Sequence, residues 1–382
     1  MLISKKIAEY SLKNMKEFLG ILEKTVNFES HTYGDATVKN ICGEYLKNLF
    51  EGIGFNMNRL DAKEAGFHIY GKYGNGSKKI LLVGHYDTVF PMGTTEKRPF
   101  SIKGNMACGP GVFDMKGGII SAYMAVKALK ELNLIEDREI DIFLSCDEEA
   151  GSVTSKEYIM NMAKKADAAL VMEPGHIGEG YVTAERYGRS VYTIKAHGVE
   201  GHAGNRPEYS SNAIVELSHQ IAKINAYTDA DQGITFTAVS MHSGDAGATA
   251  LIPGEGYAIF DIRYSHSELE KKAREVFESI VPFLDNMKIE VLGDVEKPCI
   301  EQNETNKKVY SKAKEIVEEM GFDFLPTKLG GGSDGNFTAS VGCPTLDGLG
   351  LNGEFLHNPK EYILIDTIPQ RVALLGELIR TL

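Results

Sequence analysis

The sequence predicts an α/β protein: a mostly parallel sheet covered by helices, interrupted by an inserted α+β unit. Three observations carry this. Apolar runs of strand length alternate with helical patterns through the first half of the chain, and the runs end in ionisable residues. Near Glu185 the pattern changes to strict apolar–polar alternation, as in RYGRSVYTIKAHG, which suits an antiparallel strand with one wet face. At 382 residues the chain also exceeds one ordinary hydrophobic core, so two domains are expected.

Residues 4–28 and 36–50 carry apolar positions at helical spacing, separated by the polar break SHTYGD. Strand candidates at 57–60 and 67–72 precede the stretch the chain is organised around, ILLVGHYDTVF at 80–90. Its first five residues are apolar but for Gly84 and lie between the turn GNGSKK and Pro91, as a strand buried on both faces requires. The loop GNMACGPGVFDMKGG then runs into a long helix at 116–132. A second apolar run at 140–145 ends in CDEEAGS, and after a helix near 155–164 a third at 168–172 ends in MEPG.

The inserted unit reads as strand, helix (211–224), strands (235–240 and 257–264), helix (266–284) and strand (288–292), the ferredoxin-like order. Lys297-Pro298 closes it. Helix-rich sequence returns at 306–320, followed by the loop LGGGSDGN, a strand near 345–348 and a C-terminal helix. The expected division is therefore 1–184 with 298–382 as one domain and 185–297 as the insertion.

Composition narrows the function classes. A net charge of −12 argues against a nucleic-acid surface, which needs clustered Lys and Arg; the basic pairs Lys5-Lys6 and Lys78-Lys79 are too short to be a patch. The five cysteines are scattered and odd in number and form no C-x-x-C. That excludes a thiolate zinc cluster and fits a reduced, cytoplasmic setting. The N-terminal stretch reads as an amphipathic helix rather than a signal peptide, and no run approaches the length of a membrane span.

Several ionisable residues fall where chemistry could occur. His85 and Asp87, two apart at the end of an extended run, share one face; a neutral imidazole is a zinc ligand and a nearby carboxylate can fix its tautomer. Asp114 follows a glycine-rich loop and precedes a helix, where a carboxylate caps or bridges two cations. Glu148 and Glu149 are adjacent; beside a dication one can ligate while the other takes a proton from water. Glu173 ends its own strand, and His357 lies in FLHNPKEY. Taken singly, each has an ordinary structural explanation. Jointly, His85, Asp114, Glu148, Glu149 and Glu173 follow separate strand or loop ends of one sheet edge, and they supply the inventory of a two-metal hydrolase.

The ordered set GHYDTV, GPGVFDMKGG, DEEAGS, MEPG, GHAGNRPE, GGGSDGNF and His357 resembles the M20 family of dinuclear zinc peptidases and deacylases over nearly the whole chain, with a tail most similar to its glutamate carboxypeptidase-like branch. The resemblance implies a zinc-exopeptidase-like catalytic domain and a ferredoxin-like lid that also forms a homodimer through 185–297. It implies that Asp114 bridges two zinc ions (cobalt and manganese also suit the donors), with Glu149 and His357 on one and His85 and Glu173 on the other. Asp87 would orient His85, and Glu148 would be the general base for a metal-bridging hydroxide. His202 in GHAG would stabilise the oxyanion in the partner subunit's site. Arg263 in FDIRY, with the backbone of Gly330, Gly331, Gly332 and Ser333, would bind the substrate carboxylate. One departure is Ala250: members often carry Asn before a V-I-P-like segment where this chain reads TALIP, which removes a polar contact.

The expected activity is hydrolysis of an amide or peptide bond near a free C-terminal carboxylate, on a small peptide or N-acyl amino acid. An N-acyl amino acid deacylase and a tripeptide aminopeptidase are the alternatives within the class. A lone-metal enzyme with a structural second position is a third. A catalytically inactive binding protein on the same fold is disfavoured, because every ligand position and the base are present. The remaining histidines (His31, His68, His176, His197, His219, His242 and His266) are assigned no role.

Overall fold

The computed structural model describes residues 2–382, which divide into two compact units: 2–185 with Ile300–Leu329 and Ser333–Leu382, and Arg186–Cys299 with Gly330–Gly332. In chain order the principal strands are β1 (Asn56–Asp61), β2 (Phe67–Gly74), β3 (Lys78–His85), β4 (Arg138–Ser145), β5 (Ala168–Val171), β6 (Gly188–His197), β7 (Ile234–Ser243), β8 (Glu255–Tyr264), β9 (Lys288–Lys297) and β10 (Thr345–Leu346).

The first unit is built on a six-stranded sheet of order β1-β2-β4-β3-β5-β10. β4, β3, β5 and β10 run parallel, whereas β1 and β2 join at one edge antiparallel. The short link between β1 and β2 explains this, since a tight turn joins only antiparallel neighbours. β3 lies inside the sheet; Ile80, Leu81, Leu82 and Val83 are wholly buried, as the run of apolar residues requires. Helix Gly117–Glu131 is apolar nearly all round and correspondingly buried. Its start approaches the chain after β5 so closely that a Cβ on Gly118 would meet the Met172 carbonyl oxygen at 2.1 Å.

Two local features depart from the sequence expectation. The periodic stretch 4–28 is two helices, Ile3–Lys13 and Met15–Val26, broken at Asn14, whose side chain turns back to donate to the Tyr10 carbonyl. Four short strands, Ser101–Lys103, Met106–Cys108, Gly353–Glu354 and Tyr362–Leu364, form a small sheet with no readable sequence signal, each being two or three residues long.

The second unit is a four-stranded antiparallel sheet of order β7-β8-β6-β9, with helices Ala213–Asn225 and Ser267–Glu278 in a strand-helix-strand-strand-helix-strand chain order. The alternation read in β6 is present residue by residue in its burial. No helix among the described residues is long and apolar enough to cross a membrane.

Candidate metal centre

Parallel strands deliver their C-terminal ends to one edge of a sheet, and here three adjacent strands deliver acids or imidazole. β3 ends at His85, in register with Ser145 of β4, and Val83 of β3 is in register with Val171 of β5. The chain beyond β4 therefore brings Glu148 and Glu149, and the chain beyond β5 brings Glu173, to the same edge as His85. Asp114 arrives on the loop before helix Gly117–Glu131, across a cis Asp114–Met115 peptide bond.

The side chains converge. His85 Nε2 lies 3.2 Å from Asp114 Oδ1 and 3.7 Å from Glu173 Oε1. His357 Nε2 lies 2.9 Å from Asp114 Oδ2 and 3.4 Å from Glu149 Oε1. Asp114 thus presents one oxygen to each imidazole. Donor atoms of His85, Asp114 and Glu149 fall within 4.8 Å of one another, as do those of His85, Glu148 and Glu173. Apart from His357, whose side chain is 46% exposed, these groups are largely removed from water.

The electrostatics are those of a site short of positive charge. Burial works to lower the His85 pKa, but hydrogen bonds to Asp114 and Asp87 outweigh it and leave the ring well above its ordinary value. Hydrogen bonds to Asp114 and Glu149 push His357 up to about 10. Burial, then the Asp114 charge, pushes Glu149 up to about 7. Burial also works to raise Asp114, but its bonds from His357 and His85 hold it well below the usual carboxylate range. Clustered carboxylates and two imidazoles thus make an environment that favours positive charge, and divalent ions fit such a place. The donors are all nitrogen and oxygen, the set that suits zinc, cobalt or manganese.

Asp87 has two tasks, of which only one was expected. Its carboxylate Oδ1 lies 3.5 Å from His85 Nδ1, whose nearer acceptor is Asp87's own carbonyl at 3.0 Å. Its Oδ1 and Oδ2 also accept from the main-chain N–H groups of Glu148 and Glu149, at 3.3 and 3.1 Å. It therefore places the imidazole and the glutamate pair together.

Other supports escaped the sequence reading. Asp334 accepts from Ser145 Oγ at 2.9 Å and Ser152 Oγ at 2.5 Å, bracing both ends of the loop that carries Glu148 and Glu149. Asp147 shapes the same loop by accepting from Thr154 and Ser155. The buried Lys39 donates to the carbonyls of Thr32 and Cys146, both at 2.9 Å. Glu361 accepts from three main-chain N–H groups of the Asp114 loop. Asp334 and Asp147 lie inside motifs already noted and Lys39 and Glu361 in plain stretches, and in each case only burial reveals the supporting role.

The second unit holds the remaining expected residues except Ser333. His202, exposed on a short strand paired with Leu251–Ile252, accepts at Nδ1 from the N–H groups of Gly204 and Asn205, at 3.0 and 3.1 Å. Arg263 on β8 donates through Nε to Asp261 at 2.7 Å and through Nη1 to the Gly330 carbonyl at 3.1 Å. The Gly331 carbonyl accepts from Arg186, and the Lys297 side chain lies where a Cβ on Gly332 would be. Ser333 is buried in the first unit; its N–H donates to Asn336 and its hydroxyl to Asp347. Ala250 is exposed, its carbonyl accepting from Ala203.

Known proteins resemble this chain along most of its length. Carboxypeptidase G2 of Pseudomonas sp. (strain RS-16) is 32% identical over 376 residues, spanning 94% of this chain and 88% of that protein. A succinyl-diaminopimelate desuccinylase of Ehrlichia canis is 28% identical over 380 residues, with 94% and 96% covered. Among solved structures, a tripeptidase from Staphylococcus aureus superposes with a TM-score of 0.78 at 21% identity, covering 96% of this chain and 98% of that one. The description "Peptidase family M20/M25/M40" matches residues 81–381. With most of its length matched in this way, the chain belongs to peptidase family M20/M25/M40.

Proposed function

We propose that this hydrolase is a carboxypeptidase-type exopeptidase, cutting an amide bond next to a residue with a free C-terminal carboxylate, with Glu148 as general base. The observation that carries the reading is the 32% identity to carboxypeptidase G2 across 94% of the chain. His85, Asp114, Glu149, Glu173 and His357 would hold two divalent ions, zinc by preference. When bound, such ions polarise the scissile carbonyl and lower the pKa of water toward about 7.

The protein's own groups account for the rest. Glu148 takes a proton from the attacking water as its oxygen bonds to the carbonyl carbon. It then hands that proton to the leaving nitrogen as the C–N bond breaks. Asp87 holds Glu148 and His85 in place through the bonds described above. His202 accepts at Nδ1, which leaves Nε2 as the donor assigned to the developing oxyanion in the partner subunit's site, worth about 3 kcal/mol. Arg263 is assigned to the substrate carboxylate, together with the Gly330–Gly332 segment. Ser333 is the weakest of that group, its N–H and hydroxyl being already committed. The second unit is assigned as a dimerising lid. β7 is an edge strand with Val239 and Met241 exposed, a surface suited to pairing with a second copy.

The second reading, an N-acyl amino acid deacylase, is favoured by the desuccinylase relatives, such as one from Nitrosospira multiformis at 26% identity over 359 residues. A panel of dipeptides and acetyl or succinyl amino acids, each with free and amidated C-termini, separates them. The exopeptidase reading expects turnover of dipeptides and its loss on amidation; preference for acyl amino acids would replace it. In the same assay Glu148→Gln should retain metal and lose about 10²–10⁴-fold in kcat, whereas Glu149→Gln should lose metal. Equal loss of metal in both would overturn the division of roles.

A further inference from the structure

One buried carboxylate serves neither as a proposed ligand nor as the proposed base. Glu361 is wholly removed from solvent. Its Oε1 accepts from the N–H groups of Phe113 and Asp114, at 2.7 and 3.0 Å, and its Oε2 from that of Gly111 at 3.2 Å. Three main-chain donors thus converge on one side chain, all from the turn that ends in Asp114.

Glu361 also lies four residues after His357, in a turn of its own. Phe355 and His357 both adopt left-handed backbone angles, φ +64° and +56°, and the N–H groups of Asn358 and Glu361 donate to the carbonyls of Phe355 and Asn358. The strand that follows this turn, Tyr362–Leu364, pairs with Met106–Cys108, just before the Asp114 turn, and Arg98 donates to the Pro359 carbonyl at 2.9 Å. That pairing aligns two segments about 250 residues apart in sequence, and Glu361 ties the turns at their ends to each other. Each carries one member of the Asp114–His357 pair, whose Oδ2–Nε2 separation is 2.9 Å.

Main-chain bonds from Val112 to Gly109 and from Lys116 to Gly111 close the Asp114 turn, but the N–H groups of Gly111, Phe113 and Asp114 go to Glu361. Gly111 sits at φ +73°, where a Cβ would also meet Thr88 Cγ2 at 2.6 Å. An N–H in such a turn has no helix or strand partner, and left buried and unbonded each costs about 1–3 kcal/mol. An acceptor-only group with two oxygens satisfies all three at once, and a carboxylate does so more strongly than an amide. The buried Lys116, adjacent in charge, offsets the anion.

We infer that Glu361 is a positioning residue for the metal centre: it fixes the Asp114 turn against the His357 turn and thereby sets the spacing of that ligand pair. The role rests on the metal-centre reading given above. It predicts a loss of metal affinity that exceeds any loss of fold. Removing an outer partner of a metal ligand typically weakens binding about 10–100-fold.

The test is titration of the metal-stripped protein with zinc by competition against a chromophoric chelator, alongside the visible spectrum of the cobalt form. Glu361→Ala should weaken binding about 10–100-fold and alter the cobalt bands. Glu361→Gln keeps one acceptor oxygen and should recover part of the affinity, with its amide NH₂ set against the Gly111 N–H. Phe50→Leu, a core change in the cluster with Phe55 and Tyr123, serves as the stability control. It should lower Tm with no change in either metal readout.

Zinc binding within twofold of wild type in Glu361→Ala, with Tm lowered, would overturn the inference and leave a merely structural glutamate. Should that variant fail to fold, Glu361→Gln decides: unchanged affinity and unchanged cobalt bands would overturn it equally. If wild-type protein binds no divalent metal, the metal-centre reading itself falls and takes this role with it. That outcome is distinct from a wild type that binds and a variant that binds equally well.

Discussion

Arg371 offers the sharpest test of how the edge that carries Glu173 is held. It is fully buried on helix Ile368–Thr381, and its nearest acceptors are main-chain carbonyls: Gly350 at 2.7 Å from Nε, Tyr181 at 2.6 Å from Nη1 and Gly348 at 2.5 Å from Nη2, with Glu179 farther off at 3.4 Å from Nη1. Its guanidinium also fills the space beside Gly175, where a Cβ would meet Nη2 at 2.5 Å. The segment it grips is tied to the Glu173 turn, because the Gly350 N–H donates to the Glu173 carbonyl and the Gly175 N–H to the Leu351 carbonyl. Two terms compete on replacing it by methionine. Three buried carbonyls lose their donors, at about 1–3 kcal/mol each. Against this, burial holds the guanidinium down at about 10, so relief of its charge returns about 3 kcal/mol. The carbonyls win, because methionine offers them no donor and the site is dry. With each carbonyl at the middle of that range, Arg371→Met should therefore destabilise the first unit by about 3 kcal/mol, read from urea unfolding at pH 7. Arg371→Lys, with one donor group in place of a planar fork, should recover less than half of that. A loss under about 1 kcal/mol for methionine, or full recovery by lysine, would refute the claim that the carbonyl cradle outweighs the buried charge.

Two further outcomes follow from charge. Stripping the metal should lower Tm by about 5 °C relative to protein held at a hundred times its Kd, where binding to the folded state alone adds about 2.7 kcal/mol; an unchanged Tm by calorimetry would speak against a metal in this cluster. In the second unit, burial works to raise Asp261, but hydrogen bonds from Arg263 and Arg189 outweigh it and hold the carboxyl below its ordinary range. Its stabilising share is therefore complete above the unfolded value and is lost as pH falls through the folded one, so Asp261→Asn should be less stable than wild type at pH 7 and lose less between about pH 4 and pH 2; parallel urea midpoints across that window would refute it.

What the sequence disclosed and what it withheld divide along a physical line. The strands ending at His85, before Glu148 and before Glu173 were legible because a buried parallel strand must be a continuous apolar run, and an acid or imidazole directly after such a run is conspicuous. The antiparallel strand Gly188–His197 was legible for the complementary reason, since one wet face imposes alternation. Asp334, Asp147, Lys39, Glu361 and Arg371 were not, because a polar residue's burial is decided by what folds over it. In NPKEY, Glu361 looks like any loop acid; it becomes a three-donor acceptor only once Gly111, Phe113 and Asp114 are brought against it. The two small sheet strands at Met106–Cys108 and Tyr362–Leu364 were invisible for the same reason, since three residues carry no period. They pair with each other and so bring the Asp114 turn and the His357 turn side by side. The candidate ligands could thus be read from local pattern, while the spacing that brings them together comes from long-range main-chain contacts and from buried charges that satisfy main-chain groups. Substitutions at such supports should therefore loosen the metal while leaving every ligand in the sequence.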